Sequence, residues 1–178
     1  MNKVNQLEIK PANQSQARLL AGYYTMSSDG VSKYVWSKLA EPGEDLLDVG
    51  ARRYARENTE YSYQNCKLAE LNGEPVAMLV AFPMHSDPKN LEDDPVLKPF
   101  SILEEDNSYY ICGVAVDEHH RGRGIGSALL REAELDAQRA GYDKVSLIVF
   151  EQNSRPHALY LRMGYREVCL LYTSDAAD

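Results

Sequence analysis

The stretch Val114–Leu130, which reads VAVDEHHRGRGIGSALL, decides the fold. A short apolar run is followed by a turn in which glycine occupies three alternate positions, and a helix-prone segment begins directly after it. Glycine has no Cβ, so the backbone of such a turn can approach a ligand closely. The first amides of the helix have no partner, and the positive end of the helix dipole lies behind them. These amides predict an anion site, and they belong to Arg123, Gly124, Ile125, Gly126 and Ser127.

The glycine turn does not match two common phosphate-binding motifs. A dinucleotide-binding turn has the spacing Gly-x-Gly-x-x-Gly, with an acidic residue about 20 positions further on. Here the glycines are Gly122, Gly124 and Gly126, and no acidic residue ends a strand at the required distance. The Gly-Lys-Ser/Thr of a P-loop is absent as well. The turn alone leaves two interpretations open, a phosphate site and a tight packing turn between a strand and a helix.

Length, charge and cysteine content restrict the class of protein. A chain of 178 residues is long enough for one domain with a sizeable core. The net charge of −8 argues against general affinity for nucleic acid or for an anionic membrane. No apolar run approaches the ~20 residues of a transmembrane helix, and the N-terminus lacks the apolar segment of a signal peptide. Three scattered cysteines form neither a disulfide framework nor a metal-ligand pattern, so we expect a cytoplasmic protein without a metal.

Periodicity predicts one mixed α/β or α+β domain. Strands are expected at 7–10, 66–71, 75–83, 109–117 and 144–150. Helices are expected from residue 13 onward and at 31–40, 45–58, 124–140 and 155–163. The pair Asn72-Gly73 lies between two apolar segments and predicts a hairpin. The loop 85–107 is expected to contain one helical turn near 96–103 and to serve as a binding loop.

Helical spacing also assigns a buried face to each of the first two helices. In the first helix that face holds Ala17, Leu20, Ala21 and Tyr24. In the second helix it holds Val31, Tyr34, Val35 and Leu39. Aromatic side chains are frequent here, and core packing is the simplest role for Tyr23, Tyr24, Tyr34 and Trp36, with a ligand pocket as the alternative.

The last ten residues, 169–178, do not fit the rest of the chain. They read CLLYTSDAAD, which is the translation of TGTCTCTTATACACATCTGACGCTGCCGAC. That DNA resembles a transposase adapter used to prepare sequencing libraries. We therefore expect one native domain over residues 1–168 and a non-native, adapter-derived tail over residues 169–178, on a gene fragment cut off near Val168. The alternative is a natural tail.

A second pattern lies beyond the glycine turn, and the two together carry a family resemblance. It consists of an asparagine, a Leu-Tyr pair and a Gly-Tyr pair, namely Asn153, Leu159, Tyr160, Gly164 and Tyr165. The first pattern is Arg/Gln-x-x-Gly-x-Gly/Ala, present here as Arg121, Gly124 and Gly126. With both, the sequence resembles the GNAT superfamily of acyl-CoA N-acyltransferases. One departure is Pro156, where the family often has alanine, but proline is tolerated in a first helical turn.

The resemblance implies an α+β fold, in which a mostly antiparallel twisted sheet has helices on both faces and a splayed strand pair binds acyl-CoA. It implies acetyl-CoA as the acyl-donor co-substrate. The glycine turn would bind its pyrophosphate, the preceding strand would pair with the pantetheine arm, and a bulge at Gly113 would splay that strand. The residues expected to bind the CoA are Val114, Ala115, Val116, Arg121, Gly122, Arg123, Gly124, Ile125, Gly126, Ser127, Asn153 and Tyr160.

The resemblance also implies catalytic roles. Tyr160 is the expected general acid, which would protonate the leaving thiolate of CoA, although it would also fit a tyrosine that only packs against CoA. The acceptor amine must first lose a proton, because an alkylammonium group with a pKa of about 10 is not nucleophilic. Glu151, at a predicted strand end, is the expected base. Other candidates are Glu104, Glu105 and His157, and for all four a solvated or capping role is the simpler interpretation.

Direct attack of the amine in a ternary complex needs no covalent cysteine intermediate, so Cys66 and Cys112 are expected to be buried. The expected acceptor is a small-molecule or peptide primary amine, and the acidic loop 85–107 favours a cationic one. A homodimer is compatible with the resemblance, whereas nucleic-acid and membrane partners are not expected. Two other functions stay open, a non-catalytic acyl-CoA-binding or sensor module on the same fold and an NAD-type binding domain.

Overall fold

The computed structural model describes residues 6–171, and its strands and helices follow the predicted order. The strands are β1 (Leu7–Pro11), β2 (Cys66–Leu71), β3 (Glu74–Met84), β4 (Ser108–Val116) and β5 (Val145–Leu147). The helices are α1 (Ala17–Ser27), α2 (Val31–Leu39), α3 (Leu46–Tyr54), α4 (Lys98–Leu103), α5 (Ile125–Arg139) and α6 (Ser154–Arg162). Within residues 6–171, every helix is too short or too polar to cross a lipid bilayer.

The five strands form one sheet in the order β1-β2-β3-β4-β5. The first three strand pairs are antiparallel, and β4 and β5 are parallel, with α5 in the connection between them. The turn Asn72-Gly73 joins β2 to β3, and its φ angles of 53° and 87° are those of a tight hairpin turn. The prediction of a mixed α+β fold with a mostly antiparallel sheet is confirmed, as is the hairpin.

Helices cover both faces of the sheet and bury a hydrophobic core on each. One core lies beneath α1, α2 and α3 and includes Leu20 and Tyr54. The other lies beneath α5 and includes Leu129. The predicted buried face of α1 is confirmed, because Ala17, Leu20, Ala21 and Tyr24 are all buried. Strands β2, β3 and β4 each place side chains in both cores, so the sheet is packed on both faces.

The predicted buried face of α2 is confirmed only in part, because Val31, Tyr34 and Val35 are half-buried rather than buried. Leu39 is 42% exposed, and the buried residues of this helix are Ser32 and Trp36. The helix is rotated so that the indole of Trp36 packs on Gly50 of α3, where a glycine leaves room for a large ring. Burial of the indole removes more apolar surface from water than burial of Leu39 would, and this difference sets the rotation.

Strand β5 is shorter than the predicted 144–150. Its pairing with β4 ends at Ile111 and Leu147, and the following residues of the chain have no strand partner within the described residues. An apolar run predicts burial but not whether a neighbouring strand stays within hydrogen-bonding distance. Of the expected tail, residues 169–171 are exposed and form no helix or strand, and residues 172–178 lie outside the described residues.

Candidate active site

A splay between β4 and β5 forms the centre of the candidate site. The two strands pair from Tyr109 to Ile111 and then separate. On the other side of β4, Val80 lies opposite Gly113 and Ala81 lies opposite Ile111, so Cys112 is an extra residue in the strand. A bulge of this kind bends a strand and increases its twist. The predicted bulge at Gly113 is therefore confirmed, and it lies where the two strands separate.

Gly113 is required because helix α1 crosses β4 at the bulge. A Cβ at this position would lie 2.8 Å from Ser27 Oγ and 3.5 Å from Tyr24 Cδ2. Ser27 Oγ has little freedom to move away, since it donates a hydrogen bond to the carbonyl oxygen of Tyr24. The absence of a side chain thus allows α1 to lie directly on the bulged strand.

We expect Gly113→Ala to destabilise the protein by about 1–3 kcal/mol, because the added methyl group overpacks the contact with Ser27. Thermal unfolding measures this loss. The double variant Gly113→Ala/Ser27→Ala should recover most of it, since Ser27 Cβ would still lie 3.7 Å from the new methyl group. If Ser27→Ala fails to rescue the first substitution, the contact with α1 is not the reason for the glycine.

The glycine turn after β4 has the backbone geometry of an anion cradle. Gly122 and Gly124 have φ angles of 74° and 80°, which glycine adopts without strain. Helix α5 begins directly after Gly124, and no side chain caps its first turn. Arg121 Nε donates a hydrogen bond of 3.0 Å to the carbonyl oxygen of Val116, which ties the turn to the end of β4. Arg123 is exposed and forms no ion pair with the described residues.

Gly126 connects the two sequence patterns in space. A Cβ at Gly126 would lie 3.2 Å from Leu159 Cδ2, so α6 packs closely on the first turn of α5. Leu159 and Tyr160 both pack against the core beneath α5. The third glycine of the turn therefore serves helix packing, while the first two set the shape of the cradle.

Asn153 contacts the loop between α1 and α2, and the charge of Asp29 in that loop acts on Tyr160. Asn153 Nδ2 donates a hydrogen bond of 2.6 Å to the carboxylate of Asp29, whose φ angle of 49° places it in the left-handed region. Burial and the charge of Asp29 raise the pKa of Tyr160 above its usual value. The Tyr160 hydroxyl has no hydrogen-bond partner among residues 6–171. This tyrosine is thus a protonated, uncommitted donor at neutral pH.

A cavity of about 600 Å³ lies next to the splay on the side of α1 and α2. Cys112 of β4 and Ile148 after β5 lie on the two sides of the splay, and both line the cavity. Its aromatic walls are Tyr24, Trp36, Tyr61, Phe82, Phe100, Tyr110 and Phe150. Its charged residues are Asp29, Arg53, Glu60, Glu92, Asp93 and Glu104. The volume suits a small ligand.

Burial in the wall of the cavity raises the pKa of two groups that line it, Glu104 and Cys112. Burial, together with the charge of Glu60, raises the pKa of Glu104 above its usual range. Cys112 was expected to be buried, but it is half-buried and lines the cavity, because the bulge turns it toward α1. Burial raises the pKa of its thiol to about 11, so Cys112 is a poor nucleophile at neutral pH. Cys66 is buried as expected.

The structure separates the four candidate bases. Glu104 lines the cavity. Glu151 is exposed in the turn before α6 and does not line the cavity. Glu105 pairs with Lys144 at 2.5 Å, and His157 Nε2 lies 2.8 Å from Glu167 Oε1. Among the described residues, no group of three His, Cys, Asp or Glu side chains is arranged to hold a metal ion.

Three residues near the splay were missed by sequence reasoning, namely Asp29, Glu60 and Tyr110. Asp29 looked only like part of a helix-ending turn, and Glu60 lies in an irregular segment without periodicity. Tyr110 lies in a predicted strand, and its distance of three residues from the predicted bulge at Gly113 was a usable signal. The other two reach the site through tertiary contacts alone.

The expected CoA-binding residues lie along one path. Val114 and Val116 are half-buried and Ala115 is buried in β4, downstream of the splay. The strand leads into the exposed glycine turn and then into the first turn of α5. Helix α6, which carries Tyr160, packs on that first turn, and Asn153 lies at its N-terminus. The geometry therefore groups both sequence patterns around the splay.

Comparison with known proteins agrees with this geometry. The sequence model of the Acetyltransferase (GNAT) family matches residues 31–165. A search of curated protein sequences found no match. Among solved structures, an N-acetyltransferase from Staphylococcus aureus Mu50 is similar with a TM-score of 0.67 at 19% identity, over 93% of each chain.

Two aminoglycoside acetyltransferases are similar as well. The 6'-N-acetyltransferase AAC(6')-Ih from Acinetobacter baumannii has a TM-score of 0.59 at 16% identity, over 97% of this chain and 100% of its own. The N-acetyltransferase AAC(6')-Iy, solved with CoA, has a TM-score of 0.62 at 12% identity, over 99% of each chain. At these identities the structures show the shared fold. Together with the family match over most of its length, they show that the chain belongs to the GNAT family of acetyltransferases.

Proposed function

We propose that this protein transfers an acetyl group from acetyl-CoA to a primary amine by direct attack in a ternary complex. One observation carries the proposal: the splay between β4 and β5 opens into the cavity on one face, and the glycine turn follows at the end of β4. A thioester held along β4 would thus meet an amine that enters through the cavity. Of the acyl donors, acetyl-CoA is favoured by the family membership.

The donor site would be formed by the chain's backbone more than by its side chains. The first-turn amides of α5 and the conformations of Gly122 and Gly124 suit a pyrophosphate. Beyond Ile111, the edge of β4 that faces β5 has no strand partner within the described residues. Apart from the Val116 carbonyl, which accepts from Arg121, its backbone groups are available to a pantetheine arm. An amide at the bulge would polarise the thioester carbonyl. Asn153 would hold the arm from the other side of the splay.

The reaction then needs two proton transfers. The acceptor ammonium group loses one proton to a base and becomes a neutral amine. Its nitrogen attacks the carbonyl carbon, the new C–N bond forms, and the C–S bond breaks. Tyr160 donates a proton to the leaving sulfur, and its phenolate regains a proton from the amide nitrogen. Glu104 fits the base better than Glu151, because it lines the cavity and its raised pKa lies closer to neutrality.

Two measurements on the purified protein test the proposed function. Isothermal titration should show binding of acetyl-CoA and no binding of NAD. A thiol-release assay with acetyl-CoA and a panel of primary amines should show turnover. Binding of acetyl-CoA without thiol release from any amine would favour the non-catalytic sensor instead. Binding of NAD without binding of acetyl-CoA would contradict both.

We expect Arg123→Ala to weaken acetyl-CoA binding by roughly 3- to 30-fold, because it removes a charge beside the cradle. The matched control is Arg131→Ala, which removes an equal charge from the exposed face of α5, further along the same helix. Titration of both variants with acetyl-CoA separates a local phosphate contact from a general charge effect. An equal loss in the two variants would contradict the local role.

The remaining proposals concern the cellular location and the oligomeric state of the protein. We propose that it acts in the cytoplasm, since its cysteines are free and reduced thiols persist there. The homodimer stays a prediction, which light scattering of the purified protein tests directly.

A further inference from the structure

The acidic residues of the cavity are not neutralised by the protein. Five carboxylates line it against one guanidinium, that of Arg53, which lies over the ring of Tyr61 at 5.7 Å. None of the five forms an ion pair with a lysine, arginine or histidine among the described residues. Asp29 is held by Asn153, and three acids at the mouth of the cavity are exposed. We call these three the rim acids: Glu60, Glu92 and Asp93.

Tyr110 supplies a second and independent observation. Its side chain is only 8% exposed and lines the cavity. Its hydroxyl nevertheless has no hydrogen-bond partner among residues 6–171. A hydroxyl that faces a cavity without a protein partner is available to a polar group of a ligand, as a donor or as an acceptor. Glu104 lines the same cavity, and its charge helps to raise the pKa of Tyr110.

The position of these two groups relates them to the splay. Tyr110 is paired with Ser146 of β5, one residue before the strands separate. Both Glu104 and Tyr160 act electrostatically on Tyr110. Glu104 and Glu60 likewise both act on Cys112, the extra residue of the bulge. We call Glu104 and Tyr110 the interior pair, because both line the cavity and neither is exposed like the rim acids.

We propose that the acceptor carries at least two amino groups, of which Glu104 and Tyr110 hold the one that reacts and the rim acids hold the other. The proposal rests on the proposed acetyl transfer for its reaction and on the cavity for its site. A single ammonium group would leave most of the negative charge without a partner. The aromatic walls add to the preference, because cations bind favourably over the faces of tryptophan and tyrosine rings.

The reaction step assigned to Glu104 balances in protons. The reacting nitrogen arrives as an ammonium group, one of its N–H bonds breaks, and the proton forms an O–H bond on the Glu104 carboxylate. The Tyr110 hydroxyl oxygen accepts a second hydrogen bond from the same nitrogen and orients its lone pair. After the acetyl group has been transferred, Glu104 releases its proton to solvent, and the amide product has lost one of the two positive charges. A product with less charge binds the rim acids less tightly and leaves the cavity.

Direct binding tests the proposal without depending on turnover. Three amines of equal chain length serve as probes, namely 1,4-diaminobutane, butylamine and 4-aminobutanoate. Each is titrated into the full chain by calorimetry, with and without saturating CoA. We expect 1,4-diaminobutane to bind at least about tenfold more tightly than butylamine and 4-aminobutanoate to bind most weakly, since electrostatic complementarity sets the specificity. Equal binding of the three probes, or no binding of the diamine at millimolar concentration, would overturn the proposal.

Variants separate the two parts of the subsite. Glu104→Gln and Tyr110→Phe should each weaken the binding of 1,4-diaminobutane and of butylamine, because both substitutions alter the residues that hold the reacting nitrogen. The triple variant Glu60→Gln/Glu92→Gln/Asp93→Asn should remove the preference for the diamine and leave butylamine binding unchanged. The matched controls are Glu105→Gln, which lies outside the cavity, and Tyr109→Phe, whose ring packs with the opposite core. Both controls should bind like the unaltered protein.

The outcomes distinguish this inference from the proposed function. A diamine preference that persists in the triple variant would overturn the role of the rim acids. If Glu105→Gln loses the preference for the diamine as fully as the triple variant does, the preference comes from the overall charge of the protein. That result would overturn the proposed site. A diamine preference that depends on these residues, in a protein that releases no thiol from acetyl-CoA, would sustain the subsite and reject acetyl transfer.

Discussion

Tyr160→Phe is expected to lower kcat by a factor on the order of 10²–10⁴, the usual contribution of a positioned general acid. The affinity for acetyl-CoA should stay nearly unchanged, since phenylalanine keeps the ring that packs against the core beneath α5. A loss confined to kcat indicates an interaction made only in the transition state. The measurement is the rate of thiol release at saturating acetyl-CoA and amine.

The pH dependence follows from the raised pKa of Tyr160. Burial and the charge of Asp29 both disfavour the phenolate. The catalytically useful form is the neutral phenol, which persists below the pKa and is lost as the pH rises through it. Since an ordinary tyrosine has a pKa of about 10, we expect no loss of activity from Tyr160 between neutral pH and about pH 10. A variant Asp29→Asn should move the alkaline loss to lower pH.

Tyr165→Phe is the matched control for Tyr160→Phe. The two rings lie 6.0 Å apart and belong to the same helix–turn region, but Tyr165 does not belong to the proposed proton path. The control should keep full kcat. Full turnover of Tyr160→Phe would refute the acid role and leave this tyrosine as a packing residue. An equal loss in both variants would attribute the effect to local packing.

Gly50→Ala is expected to produce the largest loss of stability among single methyl additions to the helices of this protein. A Cβ at Gly50 would lie 2.5, 2.6 and 2.8 Å from three carbons of the Trp36 indole. The ring is 3% exposed and is confined by the core beneath α1, α2 and α3, so neither it nor α3 can move freely. Overpacking of this kind costs about 1–3 kcal/mol. For a chain of this length each kcal/mol lowers the Tm by roughly 2–4 °C.

Gly22→Ala is a matched control for Gly50→Ala. Gly22 also lies inside a helix, but a Cβ there would meet no atom within 4 Å. That substitution should be neutral or should stabilise the protein by up to about 1 kcal/mol, because alanine favours a helix more than glycine does. Thermal unfolding of both variants gives the comparison. A second variant, Gly50→Ala/Trp36→Phe, removes the clashing half of the indole and should recover part of the loss.

The contact between Gly50 and Trp36 also links stability to the cavity that we propose for the acceptor. Trp36 lines the cavity, so a displaced indole should raise the KM for the amine while the affinity for acetyl-CoA stays unchanged. A fall in acetyl-CoA affinity of the same size would show that the perturbation spreads through the sheet. The two readouts therefore locate the effect on the acceptor side.

Much of the fold could be predicted from local patterns. Alternation and helical spacing located the elements, and Asn72-Gly73 predicted the hairpin because few residues accept its backbone angles. Errors arose where distant contacts decide the outcome. Trp36 rotates α2 because Gly50 lies across from it, and β5 ends early because β4 bends away at Cys112. Gly50 lies outside α2 and Cys112 lies outside β5, so the local pattern of neither element contains the residue that decides its packing.

By itself the sequence determined the residues of the proposed donor site. The glycine turn and the residues around Asn153 and Tyr160 are close in sequence to the elements that present them, and backbone amides at a helix N-terminus need no distant partner. Only the tertiary structure decided the proposed acceptor site. The cavity takes side chains from α1, α2, α3, α4, β3 and β4, and Glu104 and Tyr110 line it together only after the sheet and its covering helices have assembled. Local spacing encodes backbone conformation, whereas the charge and depth of a cavity arise from the packing of segments far apart in the chain.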